Sequence, residues 1–185
     1  DRLDSAQLSL HDVVSPEGYV LLGFSLDALS GLGCPREYFL RLLPAVRDLP
    51  LAEVLALPEV RERVSALRER DQAFRETALA HSRLDGEVVV TDFRPLPVLP
   101  VGNRFLVFTL FPQASVALRV QRLDDGKVSI SAGRSIFNRT CRANLGVLLS
   151  LHGGGGHPGA AACVVPAAQA DAHVAEIVAA LKRNG

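Results

Sequence analysis

Alternating apolar and polar positions characterise the second half of the chain and predict short strands there. Residues 115–120 and 127–132 alternate with a period of two, and the Asp-Asp-Gly turn between them predicts a β-hairpin. Residues 87–91 and 160–165 are two further short apolar runs of the kind found in buried strands. Together the four segments predict a mixed, roughly four-stranded sheet with flanking helices, which is an α/β (α+β) fold.

Helical periodicity dominates the first half of the chain. In residues 59–80 the apolar side chains recur on one face and the charged side chains occupy the others, which predicts a long amphipathic helix. The apolar run from Tyr19 to Phe24 instead predicts a buried strand. Shorter helices are predicted for residues 36–46, 51–57 and 144–151, for the segment after Pro166, and, with a strand as the alternative, for the run from Asn103 to Phe111.

The composition indicates a folded protein with a substantial core. The chain has 185 residues, of which 48% are hydrophobic, and this suffices for one sizeable domain or two small ones. We predict a first part over residues 1–84, in which the helix 59–80 connects two lobes, and a second domain over residues 85–185.

Charge and cysteine usage narrow the classes of function. The 20 basic and 20 acidic residues cancel, whereas bulk binding of nucleic acid goes with a basic excess, so such binding would require a localised site. No apolar run approaches the roughly 20 residues that cross a bilayer, so no membrane partner is expected. The three cysteines are widely spaced and do not resemble a disulfide framework, which favours a reduced, cytoplasmic location.

The run Gly153-Gly154-Gly155-Gly156-His157 is the most informative part of the sequence. Four consecutive glycines carry a high entropic cost in an ordinary element, but they let backbone N–H groups approach a phosphate oxygen closely. The histidine adds a donor at the same place. The segment lacks the ending of a Walker loop and follows a predicted helix rather than a strand, so it matches neither common nucleotide-binding fingerprint. The alternative is a plain turn from helix to strand with a structural histidine.

A second candidate site lies just after the predicted strand 127–132. Arg134 can present its planar guanidinium to a phosphate there, and Ser135 is its neighbour. Arg139 and Arg142 follow closely and can share this role. The alternative is a set of surface arginines on a loop that binds nothing.

The glycine run, its histidine and the small residues Ala160 and Ala161 resemble the GGGHxxAAG signature of the C-terminal, DHH-associated domain of the DHH phosphoesterase superfamily. The chain looks most like exopolyphosphatase-related and RecJ-like members. The resemblance implies that residues 85–185 bind substrate, and that residues 1–84 are the end of the catalytic lobe plus a helical connector. The residues that it implies for substrate binding are Gly153, Gly154, Gly155, Gly156, His157, Arg134 and Ser135.

The same resemblance places Asp27 where related proteins have an aspartate that is a late metal ligand of the catalytic lobe. Ala28 and Leu29 stand where that segment has proline and arginine, and a turn aspartate is the alternative. The superfamily's catalytic lobe binds two divalent cations, usually Mn²⁺, through several aspartates and an Asp-His-His triplet, which is absent from this sequence. We therefore expect the chain to be the C-terminal part of a longer protein. It should hold no cofactor and hydrolyse nothing alone, with the Mn²⁺ or another divalent cation in the N-terminal lobe.

Three functional hypotheses follow. In the first, the chain binds the phosphates of a short RNA, a nucleotide or polyphosphate for a metal-dependent phosphoesterase. Its partner is then the N-terminal DHH lobe, either within one chain or across a homodimer. In the second, it is a non-catalytic RNA-binding or interaction module, like the tail of alanyl-tRNA synthetases. In the third, suggested by the replaced residues after Asp27, it is a degenerate regulatory homologue.

Overall fold

The computed structural model describes residues 7–26 and 34–183. Their contacts divide the chain into two units. The first unit comprises Asp1–Arg75 and Pro100–Leu106, and the second unit comprises Glu76–Leu99 and Val107–Gly185. Its helices are α1 (Leu10–Val14), α2 (Gly18–Ser25), α3 (Pro35–Asp48), α4 (Leu51–Ala56), α5 (Pro58–His81), α6 (Leu106–Leu110), α7 (Leu145–Ser150) and α8 (Ala170–Arg183). Its strands are β1 (Ser82–Asp85), β2 (Val88–Asp92), β3 (Val116–Arg122), β4 (Val128–Arg134), β5 (Gly155–His157) and β6 (Ala160–Val165).

The first unit is helical, as the periodicity of the sequence predicts. Helices α3, α4 and α5 confirm the three helices predicted between residues 36 and 80. Prolines mark the start of all three, where the missing N–H of proline costs no helical hydrogen bond. The buried apolar core of this unit comprises Leu21, Leu22, Tyr38, Leu42, Val54, Val60 and Val64. None of the helices in the described part of the chain is long and apolar enough to cross a membrane.

The strand predicted from Tyr19 to Phe24 is wrong, because this segment belongs to α2. A short apolar run fits a buried strand and a buried helix equally well, and periodicity alone does not separate them. The burial follows the helical period: Leu21, Leu22 and Ser25 are buried, whereas Tyr19 on the other side is 66% exposed.

The second unit is built on a mixed sheet of six strands in the order β1-β2-β3-β4-β6-β5. Strands β2 and β3 are parallel, and every other neighbouring pair is antiparallel. This confirms the mixed α/β class and the four predicted strands, which correspond to β2, β3, β4 and β6. The additional strands are β1, which is polar, and β5, which lies inside the glycine run, so neither carries the apolar alternation that reveals a strand.

Helices α7 and α8 contribute to the core on one face of this sheet. Alternate residues of β3, β4 and β6 point into the core, as their alternating burial shows. The predicted C-terminal helix is confirmed by α8, and the structure buries the predicted stripe of Val174, Ile177, Val178 and Leu181. The sheet contributes Val88, Val90, Val116, Leu118, Val120, Val128, Ile130, Ala132, Ala161, Cys163 and Val165 to the same core.

Candidate functional site

The first two glycines of the glycine run terminate helix α7. Asn144 caps the start of this helix by accepting a hydrogen bond from the Val147 N–H. At the other end the Gly153 N–H donates to the Ser150 carbonyl at 3.2 Å, and the Gly154 N–H donates to the Leu149 carbonyl at 3.0 Å. Gly153 has a φ of 75°, the left-handed conformation typical of a glycine after a helix. The first two amides of the run are therefore occupied by the helix in this conformation and do not face a ligand.

Gly154 and Gly156 are required because the backbone passes too close to β6 for a side chain. A Cβ at Gly154 would collide with the Ala162 carbonyl oxygen and approach Cys163 Cβ to 2.5 Å. A Cβ at Gly156 would collide with the Ala160 carbonyl oxygen. These two glycines thus allow β5 to lie against β6. Close packing of the backbone therefore accounts for two of the four glycines, and no ligand is needed to explain them.

Gly155 has no comparable structural reason to be glycine. Its φ is not positive, and a Cβ built on it would meet nothing within 4 Å. The same holds for Gly133 of β4, on the same sheet. Both positions leave free space above the sheet, and this space makes the face a candidate for ligand binding.

The strand register places both glycines on the face opposite the α7 and α8 core. Gly155 lies opposite Ala162, which lies opposite Ser131, which in turn lies opposite Arg119. A second row, offset by two residues, runs from His157 through Ala160 and Gly133 to Ala117. Side chains paired across strands share a face, so the eight residues form one surface. We call this surface, Gly155, His157, Ala160, Ala162, Ser131, Gly133, Ala117 and Arg119, the open face.

Exposure increases along the open face from the centre of the sheet to its edge. Thr91 of β2, which pairs with Arg119, is buried. Arg119 and Ser131 are half-buried, and Ala162 and Gly155 are exposed. The floor of small side chains is therefore accessible from the β5 edge and ends at Arg119, where the covered part of the sheet begins.

His157 stands at the exposed edge of the open face with its donor available. Its Nδ1 accepts a hydrogen bond from the Gly159 N–H at 3.1 Å, across the two-residue turn that joins β5 to β6. An Nδ1 that accepts carries no proton, so in the neutral ring the proton is on Nε2. The turn therefore presets the tautomer that offers an N–H to a ligand oxygen.

Arg119 stands at the inner edge of the open face as a cation without an acidic partner among the described residues. Its Nε atom is buried and makes no hydrogen bond. The guanidinium lies over the Phe93 ring, 5.2 Å from the centroid, and burial lowers its pKa. A partly buried guanidinium whose Nε lacks a hydrogen-bond partner is unfavourable, and an anionic ligand would supply both the hydrogen bond and the counter-charge.

Arg134 lies on the opposite face from His157. It pairs with the buried Val116, and alternation along β4 places its side chain on the core side. Its Nε and Nη2 donate to the Ala143 carbonyl at 3.2 and 2.6 Å, which secures the segment leading into α7. The sheet therefore does not bring Arg134 and His157 together.

Ser135 is buried, and its hydroxyl organises the turn that follows β4 by accepting the N–H groups of Phe137 and Asn138. The exposed Arg139 donates to the Ile136 carbonyl in the same turn. Asp27, expected from the resemblance to be a metal ligand, lies outside the described residues.

Arg119 is the candidate that sequence reasoning missed. It occupies an outward position in the alternating run 115–120, where an arginine is usually a solvated surface residue. The available signal was a single charge between apolar neighbours. Only the strand register shows that it shares a face with His157, 38 positions later in the chain.

Comparison with solved structures identifies similar folds in several proteins. The pGpG-specific phosphodiesterase PggH from Vibrio cholerae matches all of this chain with a TM-score of 0.93 and 28% identity, and the match covers 64% of that protein. RecJ from Thermus thermophilus, solved with Mg²⁺, matches 88% of the chain and 25% of its own length, with a TM-score of 0.58 and 20% identity.

An exopolyphosphatase-related protein from Bacteroides fragilis matches 80% of the chain and 44% of its own length, with a TM-score of 0.52 and 9% identity. The chain thus spans less than two thirds of each of these neighbours. No family model matches the sequence, and no curated protein matches it significantly.

Proposed function

We propose that this chain, which shares its fold with solved DHH phosphoesterases and carries the glycine-histidine signature of their DHH-associated domain, binds the substrate of a phosphodiesterase on its open face. The proposed substrate is a short linear oligoribonucleotide with two phosphate groups, a 5′-phosphorylated dinucleotide. The neighbour that is similar over the whole chain is named for the dinucleotide pGpG, which favours this class.

The single observation that carries the proposal is the arrangement of the open face. His157 and Arg119 stand at its two ends, three strand spacings or about 14 Å apart across the sheet and offset by two residues along the strands. Between them the floor consists of glycine, alanine and serine, so a flat ligand can approach the sheet closely. Two positive or hydrogen-donating groups on either side of such a floor suit a ligand with two separate phosphates.

Each residue has a distinct role in this proposal. The His157 Nε2–H donates to a phosphate oxygen at the exposed edge, with the ring oriented by Gly159. Arg119 binds the second phosphate, which provides the negative charge and the hydrogen-bond acceptor that its half-buried guanidinium lacks. Gly155 and Gly133 keep the surface flat, so the sugar or base can rest on it.

The divalent cations that phosphoesterases of this superfamily use do not fit the open face. Outward positions of β3 to β6 offer no carboxylate, the oxygen ligand that Mn²⁺ and Mg²⁺ prefer. We therefore assign this chain the binding and orientation of substrate. Activation of water by metal belongs, in this proposal, to a catalytic lobe of the whole protein.

Calorimetric titration with 5′-phosphorylated diribonucleotide tests the assignment. We expect His157→Ala and Arg119→Gln each to weaken binding about tenfold or more, because each removes a charge-assisted hydrogen bond. The matched controls are His11→Ala and Arg122→Gln, which change an exposed histidine and an exposed arginine away from the open face. Equal affinity of the wild type and both site variants would overturn the proposal.

A second titration separates substrate binding from a general RNA-binding module. A module that tracks an RNA backbone gains affinity with length and loses it steeply with salt. A site with two phosphate positions instead binds the dinucleotide as tightly as a ten-nucleotide RNA. Much tighter binding of the longer RNA would favour the module and contradict the proposed substrate.

A further inference from the structure

A cluster of three metal-ligating side chains lies behind the start of the glycine run. His152 lies two residues after the end of α7, and His173 and Glu176 lie one turn apart on α8, which places them on the same side of that helix. One ligand atom from each, two ring nitrogens and a carboxylate oxygen, lie within 4.8 Å of one another. None of the three belongs to the open face.

The two histidines point the same ring atom at each other. Their Nδ1 atoms are 2.8 Å apart, and the rings are nearly perpendicular, with an interplanar angle of 80° and centroids 5.0 Å apart. The side chain of His152 is only 8% exposed, and Glu176 Oε2 lies 3.9 Å from its Nδ1. Two ring nitrogens and a carboxylate oxygen thus lie close together at the boundary of the core.

Two arrangements can satisfy such a pair. One is a hydrogen bond, which requires a proton on one Nδ1 only; the other is a cation that both nitrogens coordinate. Metal–nitrogen bonds of 2.0–2.1 Å put two nitrogen ligands about 2.9 Å apart at a right angle and about 3.4 Å apart in a tetrahedron. The observed 2.8 Å is close to the right-angle value and about 0.6 Å short of the tetrahedral one, so a cation would require the two nitrogens to separate by no more than that.

The carboxylate favours the second arrangement. A neutral hydrogen-bonded pair does not need an acidic group, whereas Glu176 on the exposed side supplies the third, negatively charged ligand of a cation. Two imidazoles and a carboxylate select late first-row divalent metals over Mg²⁺ and Ca²⁺, which prefer oxygen ligands. We propose that His152, His173 and Glu176 bind a divalent transition-metal ion such as Zn²⁺, with water completing the coordination.

Such an ion would link α8 to the end of α7, one residue before Gly153. Because binding requires the folded arrangement of both elements, it would stabilise the second unit. The site does not depend on the proposed substrate, and its test requires no nucleotide.

Thermal unfolding of the tag-free chain, first freed of metal with a chelator, provides the test. We expect Zn²⁺ at a free concentration 100 times its dissociation constant to raise the Tm by about 5–10 °C, and Mg²⁺ to have no effect. His173→Ala should abolish the Zn²⁺ shift, and His11→Ala, the matched exposed histidine, should retain it. Co²⁺ bound to the wild type should show visible d–d absorption that the His173 variant lacks.

Glu176→Gln is a second test variant, in case His173→Ala loses the Zn²⁺ shift because it does not fold. Its side chain is 69% exposed, so the fold should survive, and the loss of the charged ligand should weaken Zn²⁺ binding tenfold or more. The proposal is overturned if Zn²⁺ does not shift the Tm of the wild type. It is equally overturned if Mg²⁺ acts as well as Zn²⁺, or if both the His173 and the Glu176 variants keep wild-type affinity for Zn²⁺.

Discussion

Arg134 and His157 lie on opposite faces of the same sheet. Arg134 bonds to the Ala143 carbonyl on the core side, whereas His157 stands on the open face with its Nε2 donor directed away from Gly159. The sequence predicts both residues as substrate-binding, because each lies next to a feature that can bind phosphate. The sheet separates them, and their substitution should have different consequences.

Arg134→Ala should affect stability rather than nucleotide affinity. Loss of two charged hydrogen bonds to one carbonyl should lower the free energy of unfolding by roughly 1–3 kcal/mol, because the Ala143 carbonyl loses both donors. Urea denaturation measures this change, and calorimetry with the dinucleotide should give an affinity within twofold of the wild type. A tenfold loss of affinity at unchanged stability would instead return Arg134 to the substrate site.

The glycine run offers a matched pair of substitutions. Gly154→Ala forces a Cβ into the Ala162 carbonyl, so it should destabilise the fold by roughly 1–3 kcal/mol or more. Gly155→Val enters free space and should leave the Tm nearly unchanged, but it should weaken dinucleotide binding because the side chain rises from the open face. Urea denaturation and calorimetry of both variants check this. A destabilising Gly155→Val, or one that binds normally, would contradict the assigned geometry.

Much of the second unit could be predicted from the sequence because its signals are local. The hairpin β3–β4 is specified by alternation on both sides of an Asp-Asp-Gly turn, and β6 has the bounds predicted for it. The stripe on α8 follows from the helical period. The strand predicted for residues 19–24 is wrong because a short apolar run has no decisive period, and the sequence does not predict β5 because glycine has no side chain to alternate.

Only part of the candidate site could be predicted from the sequence, because the rest depends on the register of the paired strands. His157 and the glycines carry a local signature, which is why the sequence alone singles them out as candidates. Arg119 becomes a partner only through three successive strand pairings, each of which requires an exact alignment. The cluster of His152 and His173 needs, in addition, the packing of α7 and α8 on the same face, which a single sequence does not fix.

The three thiols should differ sharply in reactivity. Cys34 is exposed, whereas Cys141 and Cys163 are buried, and burial raises the pKa of the Cys163 thiol. Since the thiolate is the reactive form, a disulfide reagent such as Ellman's should modify one thiol rapidly in the native protein and the others only on unfolding. Cys34→Ser should remove the rapid phase. A rapid phase of two or three thiols would show that the core containing Cys163 opens readily.

Acid should remove the contribution of Asp92 to stability. Burial disfavours its charged form, but hydrogen bonds from Arg94 outweigh this and hold the pKa of Asp92 below its ordinary value of 3.8. Arg94 also pairs with Asp171 at the start of α8, at 2.8 Å, so the ionised group helps to connect that helix to the end of β2. A depressed folded pKa gives stability that is present above the unfolded value and is lost as the pH falls through the folded one.

Asp92→Asn should therefore destabilise the protein at neutral pH, and the difference from the wild type should shrink at a pH well below 3.8, where the wild-type carboxyl is protonated as well. Urea denaturation of both proteins at the two pH values measures the difference. Asp125→Asn is the matched control, since its carboxylate pairs with Lys127 in the exposed hairpin turn, where solvent screening keeps the contribution small. A difference for Asp92→Asn that is independent of pH would mean that the amide loses packing or hydrogen-bond geometry rather than charge.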